Sequence, residues 1–321
     1  MLYNSYVEYF RSRFGERLQK LVLDAGFSCP NRDGTVGVGG CTYCDNAAFH
    51  PAYSSPDKPL SRQIDEGIGF HKGRYRNVTH YLAYFQSFSN TYAPLGRLRE
   101  LYETALSHPD IVGIAIGTRP DCVDKEKLEY LRDLKDGKVL EGWHRDGFEN
   151  PVVIIEYGME SCYDRTLERI NRGHDFETAR KAVELTAGCG IEDIGAHFIF
   201  GLPGETRQMM LDECRLIDSL PLRSVKFHQL QMIKGTRMAQ EFKDRPDDFV
   251  RMGLDEYLDF IVDVLERLRP DLYVERIAGE VPPRFLDEMQ WGLIRNVEIL
   301  RMLDKKLISR NTFQGKLFKK E

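Results

Sequence analysis

Short apolar segments, rich in β-branched and aromatic residues, alternate along the chain with longer segments whose apolar residues recur at helical spacing. Seven segments are predicted strands: 20–24, 80–85, 111–116, 152–157, 194–200, 225–230 and 272–277. Six segments between them are predicted helices, with Ser61 and Asp124 as N-cap residues: 61–75, 95–108, 124–134, 176–189, 207–220 and 253–269. This alternation calls for right-handed βαβ units. It therefore predicts an α/β fold with a parallel sheet, in an open or closed barrel of about six repeats.

Polar and glycine-rich loops follow the predicted strands. They comprise residues 29–44, 86–90, 117–122, 158–161, 201–205 and 231–236. In parallel sheets and barrels, the loops that leave the carboxyl ends of the strands build the active site. We therefore expect these loops to converge on one rim of the barrel and to carry the functional residues.

Three cysteines lie in the first of these loops, Cys29, Cys41 and Cys44, and the last two form a Cys-x-x-Cys pair. Thiolates are the natural ligands of iron-sulfur clusters, and a [4Fe-4S] cluster with three cysteine ligands keeps one iron open for a cofactor or substrate. Four glycines between the first two cysteines let the backbone turn tightly and let its N–H groups approach the sulfur atoms. One alternative is a structural zinc site completed by His50 or Asp45, and another is a set of unclustered reduced cysteines.

Length and composition indicate the size of the core and the cellular compartment. With 321 residues, the chain is long enough to bury a large core without disulfide bonds. Its seven cysteines are an odd number and show no disulfide pattern, which indicates a reducing compartment. No apolar segment has the length of a membrane span and no leader peptide is recognisable, so we expect a soluble cytoplasmic protein.

Charge does not by itself indicate a nucleic-acid-binding protein, because the net charge is -5. Residues 301–321 nevertheless carry seven basic and two acidic side chains. This basic tail either contacts an anionic partner or forms a solvated terminal helix.

The end of the chain is predicted to extend the barrel. Residues 279–283 interrupt the regular pattern, so we divide the chain into a core domain, 1–283, and a C-terminal helical extension, 284–321. One amphipathic helix is predicted over 285–307, and its apolar residues available for docking are Trp291, Ile294, Val297 and Leu300. Residues 140–151 are interpreted as a surface insertion before the fourth strand.

Four motifs together resemble those of radical S-adenosylmethionine (SAM) enzymes. More narrowly, they are similar to the YhcC/YtqA-type family, which is related to the HemN group and the Elongator catalytic subunit. The motifs are Gly-Phe-Ser-Cys-Pro-Asn-Arg-Asp-Gly at 26–34, Gly-Thr-Arg-Pro-Asp-Cys at 117–122, Ile-Asn-Arg-Gly-His-Asp at 170–175 and Phe-Gly-Leu-Pro-Gly-Glu-Thr at 200–206. The resemblance spans nearly the whole chain and implies a partial (βα)6 radical-SAM barrel with a [4Fe-4S] cluster whose open iron binds SAM. In such enzymes, the reduced cluster cleaves SAM to a 5'-deoxyadenosyl radical that abstracts hydrogen from the substrate.

The resemblance also assigns cofactor contacts by position. Glu156 and Glu160 occupy places where relatives put ribose-binding groups, and Arg172 matches an arginine that pairs with the methionine carboxylate. The full set of SAM-binding candidates is Gln86, Ser87, Ser89, Arg119, Glu156, Glu160, Arg172, His197 and Gly201, with Cys29, Cys41 and Cys44 on the cluster. The alternatives are a surface ion pair between Arg172 and Glu160, and a core role for His197 with its hydrogen bonds satisfied.

Cys122, directly after the third predicted strand, is the candidate catalytic residue, as a hydrogen-atom donor or as the ligand of an intermediate. A small buried cysteine is the alternative. The resemblance implies modified tRNA, at its wobble uridine, as the substrate class, and flavodoxin or ferredoxin as the type of electron donor. The basic side chains near the N-terminus are compatible with tRNA: Arg11, Arg13, Arg17 and Lys20. Other possibilities are a HemN-like action on a tetrapyrrole or another small molecule, and a zinc-stabilised module that binds nucleic acid or protein.

Overall fold

The computed structural model describes residues 2–73 and 78–319, along which seven strands and ten α-helices alternate. The strands are β1 Gln19–Leu23, β2 Tyr81–Phe85, β3 Ile111–Thr118, β4 Val152–Glu160, β5 Ile194–Phe200, β6 Ser224–Gln229 and β7 Tyr273–Arg276. The helices are α1 Tyr6–Phe14, α2 Leu60–Lys72, α3 Leu95–Ser107, α4 Lys125–Lys135, α5 Asp164–Arg169, α6 Phe176–Gly188, α7 Arg207–Asp218, α8 Arg237–Asp244, α9 Leu254–Arg267 and α10 Asn296–Ser309. None of the described helices combines the length and the apolar composition that a membrane span requires.

The seven strands form one parallel sheet in the order β1-β2-β3-β4-β5-β6-β7. The sheet curls into a half-barrel with β1 and β7 at its edges, which confirms the predicted α/β partial barrel. All eight residues of β3 and all five of β2 are buried, because helices cover the outer face and side chains fill the inner one. Because both faces of these strands are buried, they appear in the sequence as short apolar segments.

The six predicted helices are present as α2, α3, α4, α6, α7 and α9, whereas α1, α5 and α8 were not predicted because they are too short to show a clear period. Asp124 caps α4 as predicted, since its carboxylate accepts a hydrogen bond from the N–H of Lys127 at 2.9 Å. The prediction of Ser61 as an N-cap is wrong: α2 begins one residue earlier, and Pro59 occupies the cap position. The predicted end of this helix, at residues 74–75, lies outside the described residues.

The single helix predicted over 285–307 is wrong in its first half. The chain is irregular over residues 286–295, and the regular helix is α10, which begins at Asn296. Gly292 has a φ of +69°, a left-handed conformation that interrupts a right-handed helix. Trp291 still docks on the core: its ring centroid lies 4.8 Å from that of Tyr257, and its Nε1–H donates to the carbonyl of Met252 at 3.0 Å.

The packing face of α10 differs from the predicted one. Val297 and Leu300 are exposed, whereas Ile299, Leu303 and Leu307 are buried. The division of the chain at residue 283 stays a prediction.

Two basic residues of the tail form ion pairs with acidic residues of the same chain. The Nζ of Lys306 lies 2.8 Å from an oxygen of Asp255 and 2.9 Å from one of Asp259, and Arg310 lies 2.7 Å from Asp263. These acidic residues follow one face of α9, so the charges of α10 help to hold it against the barrel. Residues 320–321, at the end of the tail, lie outside the described residues.

Residues 140–151 lie mostly at the surface, as predicted, but the segment is anchored to the core. Trp143 donates through Nε1 to the carbonyl of Leu106 at 3.0 Å, and Arg145 donates through Nη2 to the same oxygen at 2.8 Å. The segment therefore packs against the end of α3.

Candidate active site

The three predicted cluster ligands line one cavity of about 230 Å³ at the carboxyl end of the half-barrel. Cys29, Cys41 and Cys44 lie in the connection between β1 and α2. The N–H of Arg32 donates to the carbonyl of Cys29 at 2.8 Å, and the N–H of Cys44 donates to that of Cys41 at 3.1 Å. Gly40, directly before Cys41, has a φ of +75°, which a residue with a side chain rarely adopts. These turns bring cysteines that are separated in sequence to one cavity, which we name the cysteine cavity.

The cysteines fit a cluster better than a single metal ion. Within residues 2–73 and 78–319, no three His, Cys, Asp or Glu side chains surround a position that would hold one ion. His50, the candidate fourth ligand of a zinc site, instead bonds through Nε2 to Ser87 Oγ at 2.6 Å, and its Nδ1 lies 3.6 Å from Asp24. A [4Fe-4S] cluster is larger than one ion, so its thiolate ligands stand further apart. Three thiols around a shared cavity are the donor set that such a cluster needs.

Two buried polar side chains point at the sulfur of Cys41. Arg172 Nη1 lies 3.4 Å from Sγ, and Asn31 Nδ2 lies 3.7 Å from it. Burial by itself lowers the pKa of Arg172, but nearby Tyr43, Cys41 and Glu160 raise it well above its ordinary value, so the guanidinium stays charged. N–H donors of this kind stabilise negative charge on a thiolate and tune the metal that it binds.

Seven of the nine predicted SAM-binding residues line the cysteine cavity: Gln86, Ser89, Arg119, Glu156, Glu160, Arg172 and His197. The other two, Ser87 and Gly201, are not among its lining residues. Ser87 bonds to His50, and Gly201 turns the chain after β5 with a φ of +91°. The structure therefore gathers most of the predicted set beside the cysteines, and their contact with SAM stays a prediction.

Arg172 and Glu160 do lie next to each other, but not on the surface. Their side chains are 8% and 13% exposed, with Nη2 of the arginine 3.6 Å from Oε1 of the glutamate. The same Nη2 donates to the carbonyl of Gly158. Nε of Arg172 has no hydrogen-bond partner in the described chain, so the guanidinium keeps a donor for the predicted contact with a methionine carboxylate.

Backbone strain is concentrated around the cysteine cavity. Four residues other than glycine have positive φ angles in the described chain, and two of them, Phe88 at 63° and Glu160 at 72°, line the cavity. A third, Asn171 at 53°, donates through Nδ2 to the carbonyl of Gly40 at 2.8 Å. Left-handed backbone at such residues is costly and persists where the surroundings impose it, often at functional sites. The strain at Phe88 and Glu160 could not be predicted from the sequence.

Four buried charges form a closed ring inside the half-barrel, which we name the charge ring. Lys20 on β1 pairs with Glu156 on β4 and, at 2.6 Å, with Glu275 on β7. Lys226 on β6 pairs with the same two glutamates at 3.0 and 2.8 Å. The side chains are 1% to 14% exposed. Each charge therefore has two partners of opposite sign, which offsets the cost of removing it from water.

Glu156 joins the charge ring to the cysteine cavity. Tyr84 Oη donates to Glu156 Oε2 at 2.8 Å, and His197 Nε2 lies 2.7 Å from the same oxygen. Burial by itself raises the pKa of Glu156, but Lys20, Lys226 and His197 lower it well below its ordinary value. The carboxylate is ionised, and Oε2 contacts Tyr84, His197 and Lys226, whereas Oε1 contacts Lys20 and keeps acceptor capacity for a ribose hydroxyl.

Sequence analysis missed Lys226 and Glu275 as members of the site. The available signal was a charged residue within an apolar strand, because such a residue is rarely buried without a partner. Sequence alone does not tell which of the distant charges is that partner.

A larger cavity of about 950 Å³ adjoins the cysteine cavity, and we name it the barrel cavity. Six residues line both: Tyr84, Gln86, His197, His228, Gln229 and Gln231. Other walls come from α1, β1, β7 and residues 279–296. The segment predicted as a separate extension therefore forms part of a cavity wall.

Cys122 is not among the residues that line either cavity. It is 5% exposed, and its Sγ lies 3.8 Å from Asp121 Oδ1. Burial raises the pKa of Cys122 to about 12, so the residue is a protonated thiol at neutral pH. Its catalytic role stays a prediction.

Comparison with known proteins identifies the family. Residues 34–217 match the Radical SAM superfamily, and residues 222–309 match the Radical_SAM C-terminal domain. The chain belongs to the radical SAM superfamily. Radical SAM proteins of this kind are enzymes that use a [4Fe-4S] cluster and SAM and that need a reductant.

Individual relatives agree with this radical SAM assignment. The chain is 35% identical to YtqA of Bacillus subtilis, over 99% of this chain and 93% of that protein. It is 34% identical to YhcC of Escherichia coli K12, over 83% of this chain and 80% of that protein. A tRNA uridine(34) acetyltransferase of Methanocaldococcus infernus is 26% identical over 41% of this chain and 22% of that protein. The solved structure of Elp3 from the same archaeon shares the fold, with a TM-score of 0.66, 15% identity and coverage of 92% of this chain and 64% of that one.

Proposed function

We propose that this radical SAM enzyme modifies the wobble uridine of tRNA. The observation that carries the proposal is the sequence similarity to an enzyme whose name specifies uridine 34 of tRNA. The barrel cavity supports it, because aromatic and basic side chains line a space that adjoins the cysteine cavity. Positive charge and aromatic rings are the surface with which proteins bind exposed nucleotides.

In this proposal, Cys29, Cys41 and Cys44 hold the cluster, and Arg172 with Asn31 donates N–H groups toward Cys41. SAM contacts the predicted set: Gln86, Ser87, Ser89, Arg119, Glu156, Glu160, Arg172, His197 and Gly201. When bound, the reduced cluster and SAM supply a carbon radical that removes a hydrogen atom from the substrate.

The chain's own residues prepare that site for the reaction. Apolar side chains in the lining of the cysteine cavity, such as Ile199, Leu230 and Ile233, limit access of water to the reacting groups. Arg119 holds its loop in place, since its Nε and Nη2 donate to Asp121 at 2.8 and 2.7 Å. We further propose flavodoxin or ferredoxin as the electron donor, and a reducing, cytoplasmic location suited to the free cysteines.

The test of the substrate is mass spectrometry of nucleosides from total tRNA of cells with and without the gene. Loss or change of a modified wobble uridine is expected, and purified enzyme with SAM and a reductant is expected to restore the wild-type nucleoside on tRNA from the deletion strain. An unchanged set of modified uridines would contradict the tRNA proposal. If the purified enzyme acts instead on a tetrapyrrole or another small molecule, that alternative replaces it.

The test of the ligand assignment uses cysteine variants. Cys29→Ala, Cys41→Ala and Cys44→Ala are each expected to abolish 5'-deoxyadenosine formation and to lower the iron content after anaerobic reconstitution, because thiolates are the cluster ligands. Cys189→Ala is the matched control, since Cys189 is a free cysteine at the end of α6. Normal iron content and turnover in any of the first three variants would refute that assignment.

A further inference from the structure

The barrel cavity is more basic than the chain as a whole. Six of its lining side chains are Lys or Arg and three are Glu, whereas the whole chain has a net charge of -5. Two of these cations, Lys20 and Lys226, are neutralised in the charge ring. Arg251 pairs with Glu288. Excess positive charge in a cavity attracts and orients an anionic ligand.

Arg276, an exposed residue of β7, pairs with no acidic side chain in the described part of the chain. It lines the barrel cavity, and within the part of the chain that the structure describes, no acceptor or acidic group lies within bonding distance of its guanidinium. A planar guanidinium presents its donors in a fork that matches the two oxygens of a carboxylate or phosphate.

A β-bulge explains why Arg276 reaches the cavity. Val225 on β6 pairs with Val274 on β7, but the next residue, Lys226, pairs with Arg276, so Glu275 is an extra residue in β7. Successive residues of a regular strand point to opposite faces, and a bulge re-aims them. Here both Glu275 and Arg276 line the barrel cavity; Glu275 belongs to the charge ring, whereas the guanidinium of Arg276 has no acidic partner among the residues that the structure describes.

His228 lines the same cavity, close enough to Arg276 for the two side chains to interact electrostatically, and it also lacks a hydrogen-bond partner among the described side chains and backbone groups. Its ring packs against Gly279, where a Cβ would lie 2.8 Å from the ring Nδ1. The side chain of Gln229 holds Gly279 by both of its backbone groups, at 2.8 and 3.0 Å. The contact with Gly279 therefore holds the imidazole ring in place. Burial, followed by the charge of Arg276, lowers the pKa of His228, so the ring is neutral and can donate one N–H.

We propose that the barrel cavity is the substrate site and that Arg276, with His228 beside it, binds a carboxylate or phosphate group of the substrate. The rings of Tyr6, Tyr84 and Trp291 line the same cavity and offer flat apolar faces to the rest of the molecule. This inference rests on the proposed function for the identity of the substrate, which is then a nucleotide of tRNA. Its anionic group is either a backbone phosphate or a carboxylate on the modified base.

The first experiment measures binding of tRNA from the deletion strain to the reconstituted enzyme by fluorescence anisotropy. Arg276→Gln is expected to weaken binding by about 10- to 100-fold, the usual range for a hydrogen bond to a charged group. Arg276→Lys is expected to restore part of the loss, because it keeps the charge but not the fork. Arg284→Gln, an arginine outside the lining of the cavity, is the matched control. The unfolding midpoint of Arg276→Gln should equal that of the wild type, since the guanidinium makes no hydrogen bond to any described residue.

Salt dependence separates the two sources of the anionic group. If Arg276 contacts a phosphate, Arg276→Gln lowers the slope of log Kd against log salt by about 1 for tRNA and for an unmodified transcript alike. If it contacts a carboxylate on the base, only tRNA that carries the modified base loses affinity. Wild-type affinity in Arg276→Gln for both RNAs overturns the proposed anion site and leaves the tRNA proposal standing.

A second experiment decides the anion site without tRNA. Phenylglyoxal labels accessible arginines, and peptide mapping by mass spectrometry reports each position. Inorganic phosphate or acetate is expected to slow the labelling of Arg276 but not of Arg284. If the wild-type protein binds no tRNA, the proposed function fails while this result still tests the site. Equal labelling of Arg276 with and without the anions overturns the inference.

Discussion

Replacing Glu156 by glutamine separates two roles for this side chain, a member of the charge ring and a contact to the ribose of SAM. The substitution keeps the shape of the side chain and removes its charge. Lys20 and Lys226 then share Glu275 as their remaining acidic partner in the ring. Since both lysines are largely buried, one positive charge in the ring is left uncompensated.

The expected loss of stability in Glu156→Gln follows from the ion pairs that its carboxylate makes. Two opposite charges about 3 Å apart attract by about 5 kcal/mol at an effective dielectric constant of about 20. The net cost of breaking a buried ion pair by removing one partner is about 3–5 kcal/mol. For 321 residues, the entropy of unfolding is about 0.7 kcal/mol/K, so the unfolding midpoint should fall by about 4–7 °C.

The assay is thermal and urea unfolding of the reconstituted enzyme, together with the Kd for SAM. Glu275→Gln is the matched control, because Glu275 contacts the same two lysines and is not among the residues that line the cysteine cavity. Similar stability losses in both variants are expected. If Glu156 also contacts ribose, SAM affinity falls in Glu156→Gln alone. A loss of less than about 1 kcal/mol in both variants would refute the reasoning about the charge ring, because exposed pairs contribute that little.

The pH dependence gives an independent check of the same prediction. The pKa of Glu156 in the folded protein lies well below its ordinary value of 4.5. Its stabilising contribution is therefore present above pH 4.5 and is lost as the pH falls through the lower folded pKa. The difference in stability between the wild type and Glu156→Gln should narrow below that pH.

The other two predictions concern a buried acidic pair and Cys122. Ser161 Oγ lies 2.5 Å from Glu205 and 3.2 Å from Glu213, and burial raises the pKa of Glu205 to about 7 and that of Glu213 well above 4.5. The folded state thus binds more protons than the unfolded state in this range, and the free energy of unfolding falls as the pH rises from about 4.5 to about 7. Glu213→Gln should reduce this fall in the free energy of unfolding, measured by urea titration at several pH values, and Glu168→Gln, at an exposed position, should not. The same pH dependence of stability in both variants would contradict the raised pKa of Glu213. Cys122→Ala should lower product formation while 5'-deoxyadenosine still forms if the thiol transfers hydrogen, and unchanged product would assign Cys122 to the core.

The barrel could be predicted because its strands and its covering helices each have a characteristic hydrophobic pattern in the sequence. Strands covered on both faces, such as β3, are continuous apolar runs, and long covering helices such as α9 show a clear helical period. The failures lie where the local signal is weak or misleading. Trp291, Val297 and Leu300 suggested one long helix, but Gly292 turns the chain, and contacts with Met252 and Tyr257 place the tryptophan.

The sequence by itself indicated the proposed cluster ligands, because Cys29, Cys41 and Cys44 lie within one loop and the last two form a Cys-x-x-Cys pair. The partners of the remaining polar residues were decided by the tertiary structure. Glu156, Lys226 and Arg276 lie on different strands, and whether each charge is paired depends on the register of the sheet. A bulge of one residue in β7 places Arg276 next to the charge ring, where its guanidinium has no acidic partner in the described chain. A shift of one residue in register moves a side chain to the other face of the sheet, so the position of each charge depends on how its strand pairs with neighbouring strands.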